Sequence, residues 1–268
     1  MRGIAFISAL ILMAAQAVSA CVGVTEVRKI YPTADILPEN LLRVYVYFSA
    51  PMRQDTGVEH IMIKDASGAK VPDVFLPTRY ALWSPDRTRL TVMLDPGRVK
   101  TGLDAHEARG RALTAGQSYT FVVNANMLDE TGCRLNSSFE KAFEAGGDDL
   151  DIPVPSDWSF DVPSSGTKDP LTISLNGPHD HVSLAYGLRV RDANGQTISG
   201  RIGVSDGEST WFFHPNDPWL ARSYKITVDE NFEDLAGNRT TGLFDDPTGQ
   251  ARVLQQIGGQ AEVYFTVQ

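Results

Sequence analysis

The residues with the clearest capacity for chemistry are His179-Asp180-His181. On a strand, alternate residues point to one side, so the two imidazoles of His179 and His181 would be placed to ligate one copper or zinc ion. Asn176-Gly177-Pro178 precedes them, and a polar turn is the competing reading. Three acidic groups follow: Asp148-Asp149-Leu150-Asp151, Asp229-Glu230-Asn231 with Glu233-Asp234, and Asp245-Asp246. Calcium takes carboxylates and carbonyls of this kind, and solvated loops are the plainer reading. None fits the EF-hand loop, because Asp234 stands where its glycine belongs. There is no G-x-S-x-G, no H-E-x-x-H and no G-x-x-x-x-G-K, so no catalytic residue is assigned and the chain reads as a non-enzyme without a resident cofactor.

Two cysteines, Cys21 and Cys133, are the other reactive groups. Arg2, the apolar run Ile4 to Ala17 and the small residues Val18-Ser19-Ala20 form the three parts of a secretory signal peptide over residues 1–20. Val18-Ser19-Ala20-Cys21 resembles the bacterial lipobox, which would place a lipid on Cys21 and give the chain a membrane anchor. Ordinary cleavage after Ala20 would instead leave Cys21 to form a disulfide with Cys133. Both readings place the protein in the periplasm or cell envelope, as an outer-membrane lipoprotein in the first case. A formal charge of −9 with no basic cluster argues against nucleic-acid binding.

The elements that must carry these residues are strands. Leu42 to Phe48, Ile61 to Lys64, Leu90 to Leu94, Tyr119 to Val123, Leu171 to Leu175, Leu188 to Val190, Thr210 to Phe213, Tyr224 to Val228 and Val263 to Val267 are short apolar runs bounded by turn residues. Helical periodicity is limited to a turn or two over Ala105 to Ala112. The pattern predicts an all-β chain of β-sandwiches.

The chain also repeats. Lys64 to Pro72 aligns with Arg191 to Ser199, each reading as strand, Asp/Gly hairpin turn and strand. Tyr119, Asp129 and Gly132 have the same spacing as Tyr224, Asp234 and Gly237. The first half carries extra residues, expected around Val74 to Tyr80 and Pro96 to Ala112. These matches predict two tandem domains, 21–147 and 158–268, joined by an exposed linker at 148–157 that is Gly-rich, then acidic, then Pro-rich.

Phe48-Ser49-Ala50-Pro51-Met52 resembles the FS-x-PM signature of bacterial Ig-like domains of the S-layer and Big type. Asp65-Ala66-Ser67-Gly68, Leu113 to Tyr119 and Leu128 to Gly132 match that family's later landmarks. Asp234-Leu235-Ala236-Gly237-Asn238 is similar to its closing D-x-x-GN. The second half lacks FS-x-PM; Leu175-Asn176-Gly177-Pro178 stands near its place. The resemblance implies tandem Ig-like β-sandwiches and a structural, spacer or binding role at the cell surface, with an unidentified protein or glycan as partner. It implies no reaction.

Tyr119 and Tyr224 each follow a polar turn at a strand start, where a tyrosine corner would tie loop to strand. Gly132 and Gly237 are expected to supply a positive φ. Trp211-Phe212-Phe213, with Trp219 nearby and Trp83 at a comparable place in the first half, reads as core packing; the alternative is an exposed platform for a glycan or protein.

Overall fold

Strand β3 (Arg43–Phe48) sets the pattern of the fold: Val44, Val46 and Phe48 face inward and are buried, and two tyrosines alternate with them. β-branched and aromatic side chains fill such a pleated, half-buried surface well. The computed structural model describes residues 21, 25–246 and 261–268, so the predicted signal peptide lies outside the described residues.

The first half contains β1 (Val27–Tyr31), β2 (Ile36–Pro38), β3, β4 (Ile61–Asp65), β5 (Leu82–Trp83), β6 (Arg89–Met93), α1 (Pro96–Val99), α2 (Asp104–Arg109), β7 (Ser118–Val123) and β8 (Phe139–Gly146). The second contains β9 (Ser159–Asp161), β10 (Leu171–Ser174), α3 (His181–Tyr186), β11 (Leu188–Asp192), β12 (Gly200–Ser205), β13 (Thr210–Pro215), β14 (Ser223–Val228) and β15 (Ala261–Thr266). The sheets run β1-β3-β6-β5 and β2-β8-β7-β4, then β9-β10-β13-β12 and β11-β14-β15. Leaving β2 aside, each half has the A-B-E-D and C-F-G strand order of an immunoglobulin constant-type sandwich.

The short helices α1 and α2 lie in the predicted extra segment of the first half. Phe139 to Gly146, with its charged alternate residues, forms a strand that the apolar-run criterion passes over. Its exposed residues are Glu140, Ala142 and Glu144, and only Phe143 and Ala145 are buried.

The turns repeat bond for bond. Asp65 Oδ1 accepts from the Ser67 and Ala69 amides, and Asp192 Oδ1 accepts from the Asn194 and Gln196 amides. The Thr114 amide donates to the Tyr119 hydroxyl at 3.0 Å, and the Leu220 amide donates to the Tyr224 hydroxyl at 3.1 Å. Both tyrosine corners are therefore formed.

The backbone also places Leu175 to His179 where the first half has Phe48 to Met52. Phe48 N donates to Thr88 O as Leu175 N does to Ser209 O. Met52 N donates to Arg87 O as His179 N does to Glu208 O. Met52 bridges to Asp129 and His179 to Asp234.

Two apolar clusters form the core. One gathers first-half residues together with Leu235; the other is built on Trp211, Leu184, Ile226 and Phe232. Trp211 and Phe213 point inward, as expected of core packing, and Phe212 faces the other side. Trp83 is not the counterpart of Trp211, because it lies on the edge strand β5 opposite Leu90; the matching bonds give Leu90 that place.

Candidate functional site at the junction of the two sandwiches

The histidines meet the rest of the molecule at the junction between the halves. His179 and His181 do not share a strand. Asp180 caps α3, its Oδ1 accepting from the Ser183 amide at 2.8 Å, so His181 begins a helix and the alternation that would aim two imidazoles together is lost. His179 is 2% exposed and takes the core position that Met52 takes in the first half. Its ring packs among Trp158 and Phe232, and its Nδ1 bonds to the Gly177 carbonyl at 2.8 Å. His181 instead stacks on Tyr31 of the first sandwich, centroids 3.5 Å apart, with the edge of Tyr47 at 5.5 Å. Burial pushes both imidazoles down to about 4, and Arg89 and Lys29 add to the effect at His181. Both are therefore neutral at pH 7. Among the described residues no group of three or more His, Cys, Asp or Glu is arranged to hold a metal ion.

Around the two histidines the sandwiches are joined by polar groups from both sides. The Tyr45 hydroxyl donates to Asp180 Oδ2 at 2.7 Å. The Thr33 amide and hydroxyl both donate to Glu208, each at 2.6 Å. Arg43 pairs with Glu233, which Arg239 holds from the other side at 2.6 Å. The Thr101 amide and hydroxyl donate to Asp245, and Leu42 N donates to Leu235 O at 3.0 Å. Burial raises the Asp180 carboxyl, against the pull of Arg43 and the Tyr45 bond. Asp180, Glu208, Glu233 and Asp245 are buried, and stripping such a carboxylate of its partners costs about 1–3 kcal/mol.

The predicted exposed linker is corrected by the structure. Ile152, Val154 and Pro155 are buried. Asn40 exchanges two bonds with the Asp149 backbone, and Asn238 Nδ2 reaches the carbonyls of Asp149 and Asp151. A polar cavity of about 270 Å³ lies here, lined by Asp149, Asp151, Asp157, Asp234, Asn176 and His179 among others. The structure thus brings the first acidic group to Asp234 of the second. Burial raises the Asp234 carboxyl well above the usual range, and the Asp149 charge raises it further. Asp234 also accepts from the Ala236 and Asn238 amides and from Asn238 Nδ2, so its oxygens are engaged as a turn stabiliser.

At the far loop of the first sandwich, Cys21 and Cys133 form a disulfide, S–S 2.07 Å, Cα–Cα 5.7 Å. A sulfur in a disulfide cannot carry a thioether-linked lipid, so of the two expectations for Cys21 this structure contains the staple.

Sequence reasoning passed over Tyr31, Thr33, Arg43, Tyr45 and Glu208 as junction residues. A signal was present: Tyr31, Tyr45 and Tyr47 place aromatic rings on the outward side of adjacent strands β1 and β3, where an uncovered sheet would carry polar groups.

No family model matches the chain, nor does any curated protein. Among solved structures, the S-layer protein rSbsC(31-844) is 15% identical, with a TM-score of 0.31 over 76% of this chain and 23% of that one. The MG0-NIE-MG1 fragment of Escherichia coli alpha-2-macroglobulin is 11% identical, with a TM-score of 0.29 over 77% and 66%. The N-terminal four Ig domains of Dscam1 isoform 6.44 are 12% identical, with a TM-score of 0.24 over 76% and 45%. The chain therefore spans about a quarter of the S-layer structure it resembles. The strand pairing, not these likenesses, defines the fold.

Proposed function

We propose that the chain is an exported, non-catalytic structural or binding module of the bacterial cell envelope, working on the periplasmic side or at the cell surface. The observation that carries this reading is the junction. Tyr45–Asp180, Arg43–Glu233, Thr33–Glu208 and Thr101–Asp245 fix two Ig-type sandwiches against each other, as suits a load-bearing or presenting unit. The Cys21–Cys133 disulfide supports export, because such bonds persist in oxidising compartments. The partner is a protein or glycan met outside the cytoplasm.

Expression in a bacterial host followed by fractionation and intact-mass measurement tests this. The expected product is leaderless, begins at Cys21, is recovered from the periplasmic extract and is two hydrogens lighter than the reduced chain. Retention of an uncleaved chain in the cytoplasm with two free thiols would overturn the reading. A diacylglyceryl increment on Cys21 would keep the envelope assignment but replace the staple with a membrane anchor.

A further inference from the structure

The polar cavity at the junction is rich in acceptors and has no cationic side chain. The carboxylates of Asp149, Asp151, Asp157 and Asp234 line it, and no Lys or Arg does. Elsewhere Asp55, Asp148, Asp192 and Asp245 each lie within ion-pair distance of an arginine. Asp149 is half-buried, and its Oδ1 accepts from the Asp151 amide at 3.1 Å, which leaves Oδ2 without a donor among the described residues. Burial raises both the Asp149 and Asp234 carboxyls, and a neighbouring aspartate raises each further. Carboxyls that repel one another out of full reach of water gain from a cation placed beside them.

His179 is a second, independent observation. It is 2% exposed and sits on the cavity wall. Its Nδ1 bonds to the Gly177 carbonyl. A carbonyl only accepts, so Nδ1 carries the ring proton and Nε2 of the neutral imidazole presents a lone pair. That Nε2 is buried and has no hydrogen-bond partner among the described residues. An unmatched buried acceptor is unfavourable. The fold does not call for one here, because Met52 fills the same core position in the first sandwich.

These groups specify their ligand. It must carry positive charge and donate a hydrogen to a lone pair. A metal ion is a poor match: no three His, Cys, Asp or Glu side chains are grouped to hold one among the described residues, and a cavity of about 270 Å³ is far larger than an ion. A quaternary ammonium has no N–H and is held by aromatic faces, and no Trp, Tyr or Phe lines this cavity. A primary ammonium has three donors. Leu150, Ile152 and Leu243 add an apolar wall on which an alkyl stem can lie. We propose that the cavity binds a primary ammonium group carried on an alkyl chain. One N–H donates to His179 Nε2, and the others meet the aspartate carboxylates on the wall. The group belongs to a free alkylamine or to a lysine side chain of a partner protein. This site goes beyond the structural reading of the junction, which rests on export and the inter-sandwich bonds and survives without it.

Two probes separate the sources: cadaverine for the free amine, and lysine blocked at its α-amino and carboxyl groups for the side chain. Each is titrated at pH 7 and constant ionic strength into the 15N-labelled, disulfide-bonded full chain and followed by amide shifts. Saturable shifts confined to residues 149–157, 176–181 and 234–243 are expected, with a dissociation constant below about 1 mM. Tighter binding of the blocked lysine assigns the site to a partner's side chain, and tighter binding of cadaverine assigns it to a free amine. The Nε-acetylated blocked lysine should give no shifts. His179→Met, which installs the residue of the matching position, and Asp157→Asn, at the exposed rim, should each weaken binding about tenfold, the loss of one charge-assisted bond. Absence of saturable shifts at about 10 mM of either probe would overturn the proposal. So would shifts elsewhere in the molecule, an equal response to tetramethylammonium, or calcium bound at these residues more tightly than either amine. Affinity indifferent to Asp157→Asn, or to His179→Met in a chain that keeps its spectral dispersion, would also overturn it.

Discussion

The loops Asp129–Cys133 and Asp234–Asn238 occupy the same place in the two sandwiches and are built alike. In both, the aspartate amide donates to the carbonyl four residues on, its Oδ1 accepts from the amides two and four residues on, and the glycine has φ of 85° or 82°. Each also receives the chain segment that precedes its sandwich. The first receives it covalently, through Cys133 and Cys21, with the Thr25 hydroxyl donating to Asp129 Oδ2. The second receives it through the Asn238 amide, which clasps the Asp149 and Asp151 carbonyls. The same turn thus has opposite electrostatics. At Asp129 burial pushes the carboxyl up, but bonds from Thr131, Thr25 and Cys133 outweigh it and hold the carboxyl below the usual range. At Asp234 deeper burial and the neighbouring Asp149 raise it. The shared backbone bonds do not set the pKa; the Thr131 and Thr25 hydroxyls at one turn, and the deeper burial and the Asp149 charge at the other, do.

The largest expected difference between the two loops is covalent. A Cys21→Ser/Cys133→Ser double variant should lose about 5 kcal/mol of stability, the loop-closure value for a cross-link of this span, measured by urea denaturation; an unchanged midpoint would mean the disulfide adds nothing the fold lacks. Next is the core position shared by Met52 and His179. The folded His179 pKa of about 4 lies below the ordinary 6.5, so the wild type should lose stability as pH falls from 6.5 toward 4. The total loss from this group is about 3 kcal/mol. A His179→Met variant should lack that share of the acid-side loss, and denaturation midpoints across this pH window check it.

Asn238→Ala should cost about 2 kcal/mol, because it strips bonds from two buried carbonyls and Asp234 Oδ2 at once. Faster amide exchange should then appear over 149–155, with 25–30 unchanged. The smallest effect belongs to Asp149→Asn. Asp234 has a raised folded pKa, so its contribution to stability is greatest below the unfolded carboxylate pKa and is lost as pH rises through the folded value. Removing the Asp149 charge should lower the Asp234 pKa in carboxyl-carbon NMR titration, make the variant slightly more stable than wild type at pH 7, and leave Asp129 unmoved.

Much of this was legible in the residues. The Asp/Gly turns and the two tyrosine corners follow from local spacing, because their bonds join residues within a few positions of each other. Nine of the strands follow from short apolar runs bounded by turn residues, a local pattern even though their ladder bonds reach distant segments. Other features depended on partners far away in sequence. Phe139 to Gly146 lacks a continuous apolar run and is a strand because β7 and β2 flank it. The 148–157 stretch has the composition of an exposed linker and is tucked in by Asn40 and Asn238.

The sequence by itself determined the all-β class, the repeated turns and the choice open to Cys21, since alternation, turn chemistry and residue type are local properties. Only the tertiary structure decided that His179 belongs to one core and His181 to the face of the other sandwich. It also decided that Asp149 lies beside Asp234 and that Cys21 reaches Cys133. Each of these depends on which surface a distant segment covers, and burial and proximity of that kind have no local signature in a chain.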